Sequence, residues 1–239
     1  MTLLTYLIAI TTFFIGIFLG YTISKKEDKI RSKQVWSRVQ RRNIMRTINA
    51  LVSAIDFKDH LTRNHSDSVK HYACVIAKKM GMPDKEIAGL KEACKVHDLG
   101  KIGVHDNILT KPDKLTEEEY KEIKLHSLAG AVILKPFHFL DKVVKMVRQH
   151  HERYDGKGYP DGLKGEKICL SARIMAVADS FEAMTTDRTY RKRMSLEAAI
   201  DELKKYKGTQ FDPAVVDVFI KLLKEEPEIL KQSGEQNNA

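Results

Sequence analysis

The sequence predicts an all-α domain carried behind a single N-terminal transmembrane helix, and three observations predict it. Large apolar residues recur at steps of three and four from residue 44 onward, the spacing of one helix face. No stretch alternates apolar and polar residues as a half-buried strand requires. Met1–Ser24 contains no charged side chain, whereas Lys25 and Lys26 open a basic run.

Residues 1–24 are read as the anchor. Leu3–Ile23 is 21 residues, about 31 Å as a helix, which matches the hydrocarbon core. A cleaved signal peptide would want a charged start, a shorter apolar core and an Ala-x-Ala-like exit, and none is present. The basic residues that follow place the rest of the chain in the cytoplasm, as a single-pass protein of the cytoplasmic (inner) membrane. Gly16 and Gly20 form a GxxxG, with Thr12 one turn earlier, so two anchors could pack as a homodimer.

Residues 25–48 read as a basic helical linker. Its cationic face either rests on anionic headgroups, at ~1 kcal/mol per nearby charge, or is simply solvated. The net charge of +9 is concentrated here: residues 25–46 hold nine Lys or Arg against two acids, and the remainder is nearly balanced. A basic excess confined to one flank, rather than spread over the folded domain, argues against a DNA or RNA partner. Cys74, Cys94 and Cys169 are odd in number and widely spaced, with no CxxC, so they read as core residues and not as a disulfide framework or thiolate metal site.

The helical domain is expected over 49–225, with a polar C-terminal tail over 226–239. Ile44, Ile48, Leu51 and Ile55 form the first apolar stripe; Val69, Tyr72, Ala73, Ile76, Ala77 and Met80 mark a second helix. Pro83–Asp84 starts a third, with Asp84 as cap and Ile87, Leu90 and Cys94 inward. Thr116 and Glu119 have capping-box spacing for another. Val143 and Val147 define a helix ending near His151; Ile174–Met184 and Ser195–Tyr206 supply two more, and a last helix follows Pro213. One stretch breaks the pattern. Tyr154–Gly165 (YDGKGYPDGLKG) puts four of the chain's 13 glycines into a short polar loop, a composition that permits close backbone approach to a ligand.

The candidate chemistry lies on the inward faces. His97 shares a face with Leu90 and Cys94, and Asp98 follows it directly. A buried, unpaired carboxylate is expensive, and a bound cation is one of the few remedies. His150 shares a face with Val143 and Val147, and His151 is its neighbour. His65 at the start of one helix, His126 inside another and Asp179 in the apolar Ile174–Met184 helix complete the set. Five imidazoles and two carboxylates exceed one tetrahedral ion. They suit two six-coordinate divalent ions sharing Asp98 as a bridge, and the absence of thiolate favours iron or manganese. Such a pair lowers the pKa of a bridging water and clamps the attacking and leaving oxygens of a displacement at phosphorus. Lys101, one turn past Asp98, could stabilise developing charge. Arg188, Arg191, Lys192 and Arg193 could hold a second phosphate or form an ordinary basic surface patch.

These residues resemble a known family. His65, His97-Asp98 and Asp179 are similar to the H…HD…D signature of HD-domain phosphohydrolases. HDLGKIGV (97–104), ILTKPDKLTEEE (108–119), HHERYDGKGYPDGL (150–163), ARIMAVADSFEAMTTDRTYR (172–191) and GTQFDP (208–213) together resemble the HD-GYP subfamily, over roughly residues 49–220. The resemblance implies an HD-domain helical bundle with a GYP extension and hydrolysis of cyclic di-GMP by a metal-bridged hydroxide. The product would be linear pGpG and, in some members, GMP. It implies that His65, His97, Asp98 and Asp179 serve one metal, and Asp98, His126, His150 and His151 the other. Asp98 and Lys101 would be the catalytic pair. Gly158, Tyr159 and Pro160, with Arg188 and Arg191, would contact the dinucleotide. Leu61 stands where trinuclear members carry Glu, so two ions are expected. His105 replaces a usual Pro, and Glu182 a usual Asp after the last metal ligand. The alternatives are an HD phosphohydrolase for another cyclic dinucleotide or a guanosine polyphosphate, and a non-catalytic cyclic-dinucleotide receptor.

Overall fold

A computed structural model describes residues 25–26, 34–58, 65–187 and 192–230. The chain divides into two units, Met1–Ile48 and Asn49–Ala239. In the first, residues 34–48 are helical and Val35, Trp36 and Val39 are exposed. The anchor expected over 1–24, with its GxxxG, lies outside the described residues. Among the described residues no helix is long and apolar enough to cross a membrane.

Every regular element among the described residues of the second unit is a helix, as expected. Among those residues there is no strand, only an isolated bridge between Lys207 and Phe211. Residues 49–58 form α1, followed by α2 (His65–Lys79), α3 (Asp84–Val96), α4 (Asp106–Leu109), α5 (Glu117–Lys124) and α6 (His126–Leu134). Then come α7 (Asp141–Gln149), α8 (Leu170–Thr185), α9 (Leu196–Lys205) and α10 (Pro213–Glu225). Helix α2 packs on α3 and α8, α3 on α7, and α6 on both α7 and the 3-10 turn Leu99–Gly103. Val69, Ile76, Leu90, Cys94, Ile174 and Leu203 are fully buried between them. Each large aliphatic side chain removed from water contributes about 1.5–3 kcal/mol. Tyr72, Phe181 and Phe219 join α2, α8 and α10 through edge-on ring contacts of 5.1 Å and 4.9 Å about Phe181.

The local signals act where they were expected, with three exceptions. In the first apolar stripe Leu51 is exposed and its neighbour Val52 is buried instead; the other two concern helix starts. Thr116 and Glu119 form the reciprocal capping box of α5, Ser195 caps α9, and Asp212 caps α10 with Pro213 in its first turn. Asp84 does not cap α3: extended Pro83 takes that position and Asp84 is the first helical residue, where its charge meets the helix dipole instead. His126 is not interior to a helix but opens α6, because the backbone breaks register at Leu125 between α5 and α6. Past α10, Pro227–Leu230 forms a 3-10 turn with Ile229 buried and its carbonyl 3.0 Å from His71 Nε2, so the first residues of the polar tail pack on α2. Cys74 and Cys94 are buried free thiols and Cys169 is half-buried.

Candidate metal centre

The helix ends build the centre. The last carbonyls of a helix have no intrahelical partner, and here three of them take a histidine. His97, capping α3, donates Nδ1–H to the Cys94 carbonyl at 2.8 Å. His150, capping α7, donates to Val147 at 2.7 Å, and His126, just past α5, donates to Ile123 at 2.6 Å. Each bond fixes the tautomer that leaves the Nε2 lone pair pointing inward. The break at Leu125 therefore serves the centre: it frees the Ile123 carbonyl for His126.

Two clusters result. His65, His97 and Asp98 form one, and His126, His150 and His151 the other. In the first, His65 and His97 bring their Nε2 atoms to 3.4 Å, and Asp179 Oδ1 from α8 lies 3.4 Å from His65 and 4.0 Å from His97. In the second, His126 and His150 face each other at 3.3 Å through Nε2, while the His151 ring centroid lies 4.0 Å from that of His150 and 4.9 Å from that of His126. Asp98 stands between them. Its Oδ2 is 3.5 Å from His97 and 3.9 Å from His65, and its Oδ1 is 3.5 Å from His126. One carboxylate thus turns one oxygen to each cluster.

The electrostatics sort these groups. Burial, reinforced by neighbouring His97 and His126, pushes His150 down to about 3. Burial likewise lowers His126, and burial with His150 beside it lowers His151. Burial alone would raise Asp98, but Lys101, then His97, His126 and His65, hold it well below the carboxylate range. Asp179 is lowered too, His65 and His97 outweighing its burial. His65 is raised. Burial works against its charge, but Glu182, hydrogen-bonded to Nδ1 at 2.6 Å, and then Asp179 and Asp98 prevail.

A cation fits this donor set. His126 and His150 have committed their Nδ1 protons to carbonyls and resist a second proton, yet their Nε2 lone pairs meet at 3.3 Å. Two lone pairs at that distance repel unless a positive charge lies between them. An ionised, buried carboxylate next to them makes the same demand.

Lys101 donates to Asp98 Oδ2 at 2.8 Å. The turn that carries it, Leu99–Gly103, presses against α6. A Cβ at Gly100 would sit 1.8 Å from the His126 carbonyl oxygen and 2.5 Å from the Gly130 nitrogen, so this approach admits only glycine.

The glycine-rich loop folds over the second cluster. Tyr159 lies against His151 with ring centroids 4.9 Å apart, and its backbone N–H donates to the His151 carbonyl at 3.3 Å. Gly158 is required there, since a Cβ would meet the Arg153 nitrogen at 2.3 Å. Pro160 follows in the same loop. Buried Glu152 holds the loop from beneath, accepting the Asp161 and Leu163 N–H groups at 2.7 Å and 2.9 Å. The GTQFDP segment holds it from the side: Tyr154 and Asp155 N–H donate to the Gln210 and Thr209 carbonyls.

Of the expected site residues, His65, His97, Asp98, Lys101, His126, His150, His151, Tyr159 and Asp179 converge. Arg188 and Arg191 lie outside the described residues. Lys192 and Arg193 are exposed. His105 joins neither cluster; it is exposed and pairs with Glu122 at 2.7 Å. Sequence reasoning did not assign a role to Glu152 or Gly100, although an acid directly after two inward histidines is a usable signal. Asp56 is another omission: its Oδ1 is buried with no hydrogen-bond partner, and burial together with Asp98 raises its pKa.

Comparison with known proteins agrees with this geometry. The family model described as "HD domain" matches residues 49–215. The cyclic di-GMP phosphodiesterase response regulator RpfG of Xanthomonas campestris is 38% identical over 177 residues, which are 73% of this chain and 47% of that protein. The 3'3'-cGAMP-specific phosphodiesterase 3 of Vibrio cholerae is 34% identical over 166 residues, 70% of this chain and 36% of that protein. The chain therefore spans about half, or less, of the length of these curated relatives. Among solved structures, a cyclic GMP-AMP specific phosphodiesterase of Vibrio cholerae, V-cGAP3, superposes with a TM-score of 0.63 at 19% identity, covering 80% of this chain and 50% of that one. At that identity the likeness establishes the fold.

Proposed function

From the premise that the chain belongs to the HD domain family, in its HD-GYP branch, we propose that it is a metal-dependent phosphodiesterase that opens cyclic di-GMP to linear pGpG. The observation that carries this is the Asp98 carboxylate, with one oxygen at 3.5 Å from His97 and the other at 3.5 Å from His126. Two divalent cations, iron or manganese for this imidazole and carboxylate set, would be held by His65, His97, Asp98 and Asp179, and by Asp98, His126, His150 and His151. Bound there, they supply Lewis-acid activation of water and of the phosphodiester.

The chain's own residues do the rest. Asp98 stays ionised, so it presents negative charge to both clusters without giving up a proton. Lys101 sets an ammonium beside Asp98 Oδ2, placed to neutralise charge gathering on a phosphate oxygen or on the leaving oxygen. Tyr159, its phenol pushed further up by burial, stays protonated and can donate to substrate phosphate oxygens. It also covers His151 against bulk water. Arg188 and Arg191 complete the reading as substrate contacts.

The test is turnover of cyclic di-GMP and of 3'3'-cGAMP by the full chain, prepared anaerobically with Fe2+ or Mn2+, with Asp98→Ala as control. Linear pGpG from the parent and none from the variant supports the reading. Preference for the mixed dinucleotide reassigns the substrate, and binding without turnover makes the protein a receptor. In the same reading residues 1–24 anchor the chain in the cytoplasmic membrane, with the basic flank on anionic lipid, and pair through Gly16 and Gly20. Release into the soluble fraction at alkaline pH would refute the anchor, and an unchanged crosslinked dimer in Gly16→Ile would refute the pairing.

A further inference from the structure

Two acids of helix α5 have cationic or imidazole partners, and its last lysine has a different environment. Glu119 is taken by Lys111 at 2.7 Å and Glu122 by His105 at 2.7 Å. Lys124, the last residue of α5, donates to no described carboxylate. Its ammonium instead lies 4.5 Å from the ring centroid of Tyr120, one turn earlier, and 5.6 Å from that of Tyr159. An ammonium over two aromatic faces is held in place and partly stripped of water. It gains more from a further anion than a freely solvated lysine would.

The position of that charge is fixed relative to the metal ligands. Lys124 precedes His126 by two residues, and Tyr159 lies directly against the His151 ring. One aromatic ring thus separates the ammonium from the second cluster. A cyclic dinucleotide carries two phosphodiesters on one closed ring, so when one is at the metal ligands the other lies a short way off, toward the rim. A simple phosphodiester has no such second anion.

We propose that Lys124, held between Tyr120 and Tyr159, is a substrate-binding residue that receives the phosphate not undergoing cleavage. This rests on the phosphodiesterase reading above and adds to it a residue that selects cyclic dinucleotides over single phosphodiesters. Neither the expected ligand set nor the expected dinucleotide contacts include it.

The experiment compares Lys124→Met and Lys124→Arg with the parent full chain on two substrates, cyclic di-GMP and bis(p-nitrophenyl) phosphate, with metal content measured alongside. Losing one charge-assisted contact costs about ten- to a hundredfold in affinity. Lys124→Met should therefore raise KM for cyclic di-GMP by at least about tenfold with kcat held within about twofold. Its turnover of the single diester and its metal content should match the parent, and Lys124→Arg should restore most of the lost affinity. Equal losses on both substrates would overturn the proposal, as would no loss on either. A parent that cleaves the single diester but no cyclic dinucleotide overturns the cyclic-dinucleotide reading on which the proposal rests, a failure distinguished by appearing before any variant is made.

Discussion

Gly100→Ala should disable the centre without touching a ligand. The new Cβ would start 1.8 Å from the His126 carbonyl oxygen and 2.5 Å from the Gly130 nitrogen, both backbone atoms that no rotamer change can move. A tolerable carbon–oxygen contact is about 3.3 Å, so the turn Leu99–Gly103 and α6 must part by roughly 1.5 Å, using that same contact distance. Asp98 and Lys101 flank Gly100, whereas His126 belongs to α6, so the separation opens the 3.5 Å approach of Asp98 Oδ1 to His126 Nε2. A misplacement of this size costs about 10²-fold or more in rate. Overpacking costs about 1–3 kcal/mol, which for a domain of this size lowers Tm by about 2–4 °C per kcal/mol. Gly103→Ala is the matched control: it lies in the same turn, and its Cβ would meet nothing within 4 Å. Cyclic di-GMP turnover, bound metal by elemental analysis and thermal unfolding should all fall in Gly100→Ala and stay at parental values in Gly103→Ala. A Gly100→Ala protein with parental Tm, metal content and rate would refute the claim that contact between the turn and α6 sets the centre's geometry.

Glu182→Ala should weaken metal binding by about 10–100-fold, the usual effect of removing a partner that orients a ligand histidine, because Glu182 holds His65 Nδ1 at 2.6 Å; titration of the chelated protein with Mn2+ reads it, and an unchanged affinity would sink the assignment. Glu152→Ala leaves the Asp161 and Leu163 N–H groups without their acceptor, bonds worth about 1.5–3 kcal/mol each when the acceptor is charged. KM for cyclic di-GMP should rise while hydrolysis of bis(p-nitrophenyl) phosphate is spared, and equal loss on both would argue against a substrate role for the loop. Acid should destabilise the chelated protein. His150 sits at about 3 when folded against 6.5 in the unfolded chain, so the unfolded state binds more protons between those values, and stability present above pH 6.5 is lost as pH falls toward 3. For His150 alone the loss between pH 7 and 5 is about 2 kcal/mol. His126 and His151 act in the same sense, while His65, raised on folding, opposes them. Tm measured across that range should drop by several degrees, and a flat or rising profile would contradict the buried, neutral state of these rings.

Much of the candidate centre was legible because the side chains that converge there coincide with signals that act locally. His97 and His150 end helices whose apolar faces are readable at spacings of three and four, so their inward direction follows from the chain itself. The capping box at Thr116 and Glu119 is equally local. What escaped depends on proximity between distant segments. Gly100 looks like any glycine in a turn until α6 is laid against it. Lys124 sits on a helix rich in charge and reads as part of a solvated face, because the ring of Tyr159, 35 residues away in sequence, is what makes it unusual. Asp84 misled for a different reason. It has the chemistry of a cap, but Pro83 is already extended and takes the cap position, leaving Asp84 in the first turn.

The backbone, more than the side chains, prepares this centre. Three histidines of the candidate centre are aimed by carbonyls that the ends of α3, α5 and α7 would otherwise leave without partners, so each helix end satisfies its own hydrogen-bonding need by presenting a lone pair inward. Burial then denies His126 and His150 the proton that could relieve their mutual repulsion, and Lys101 with the surrounding imidazoles denies Asp98 its own. The groups share one outlet, a cation, and the two oxygens of Asp98 couple the clusters so that charge at one is felt at the other. A change that frees any of the three carbonyls, such as a proline that ends α5 or α7 a turn early, should therefore cost metal affinity even where every ligand side chain is retained.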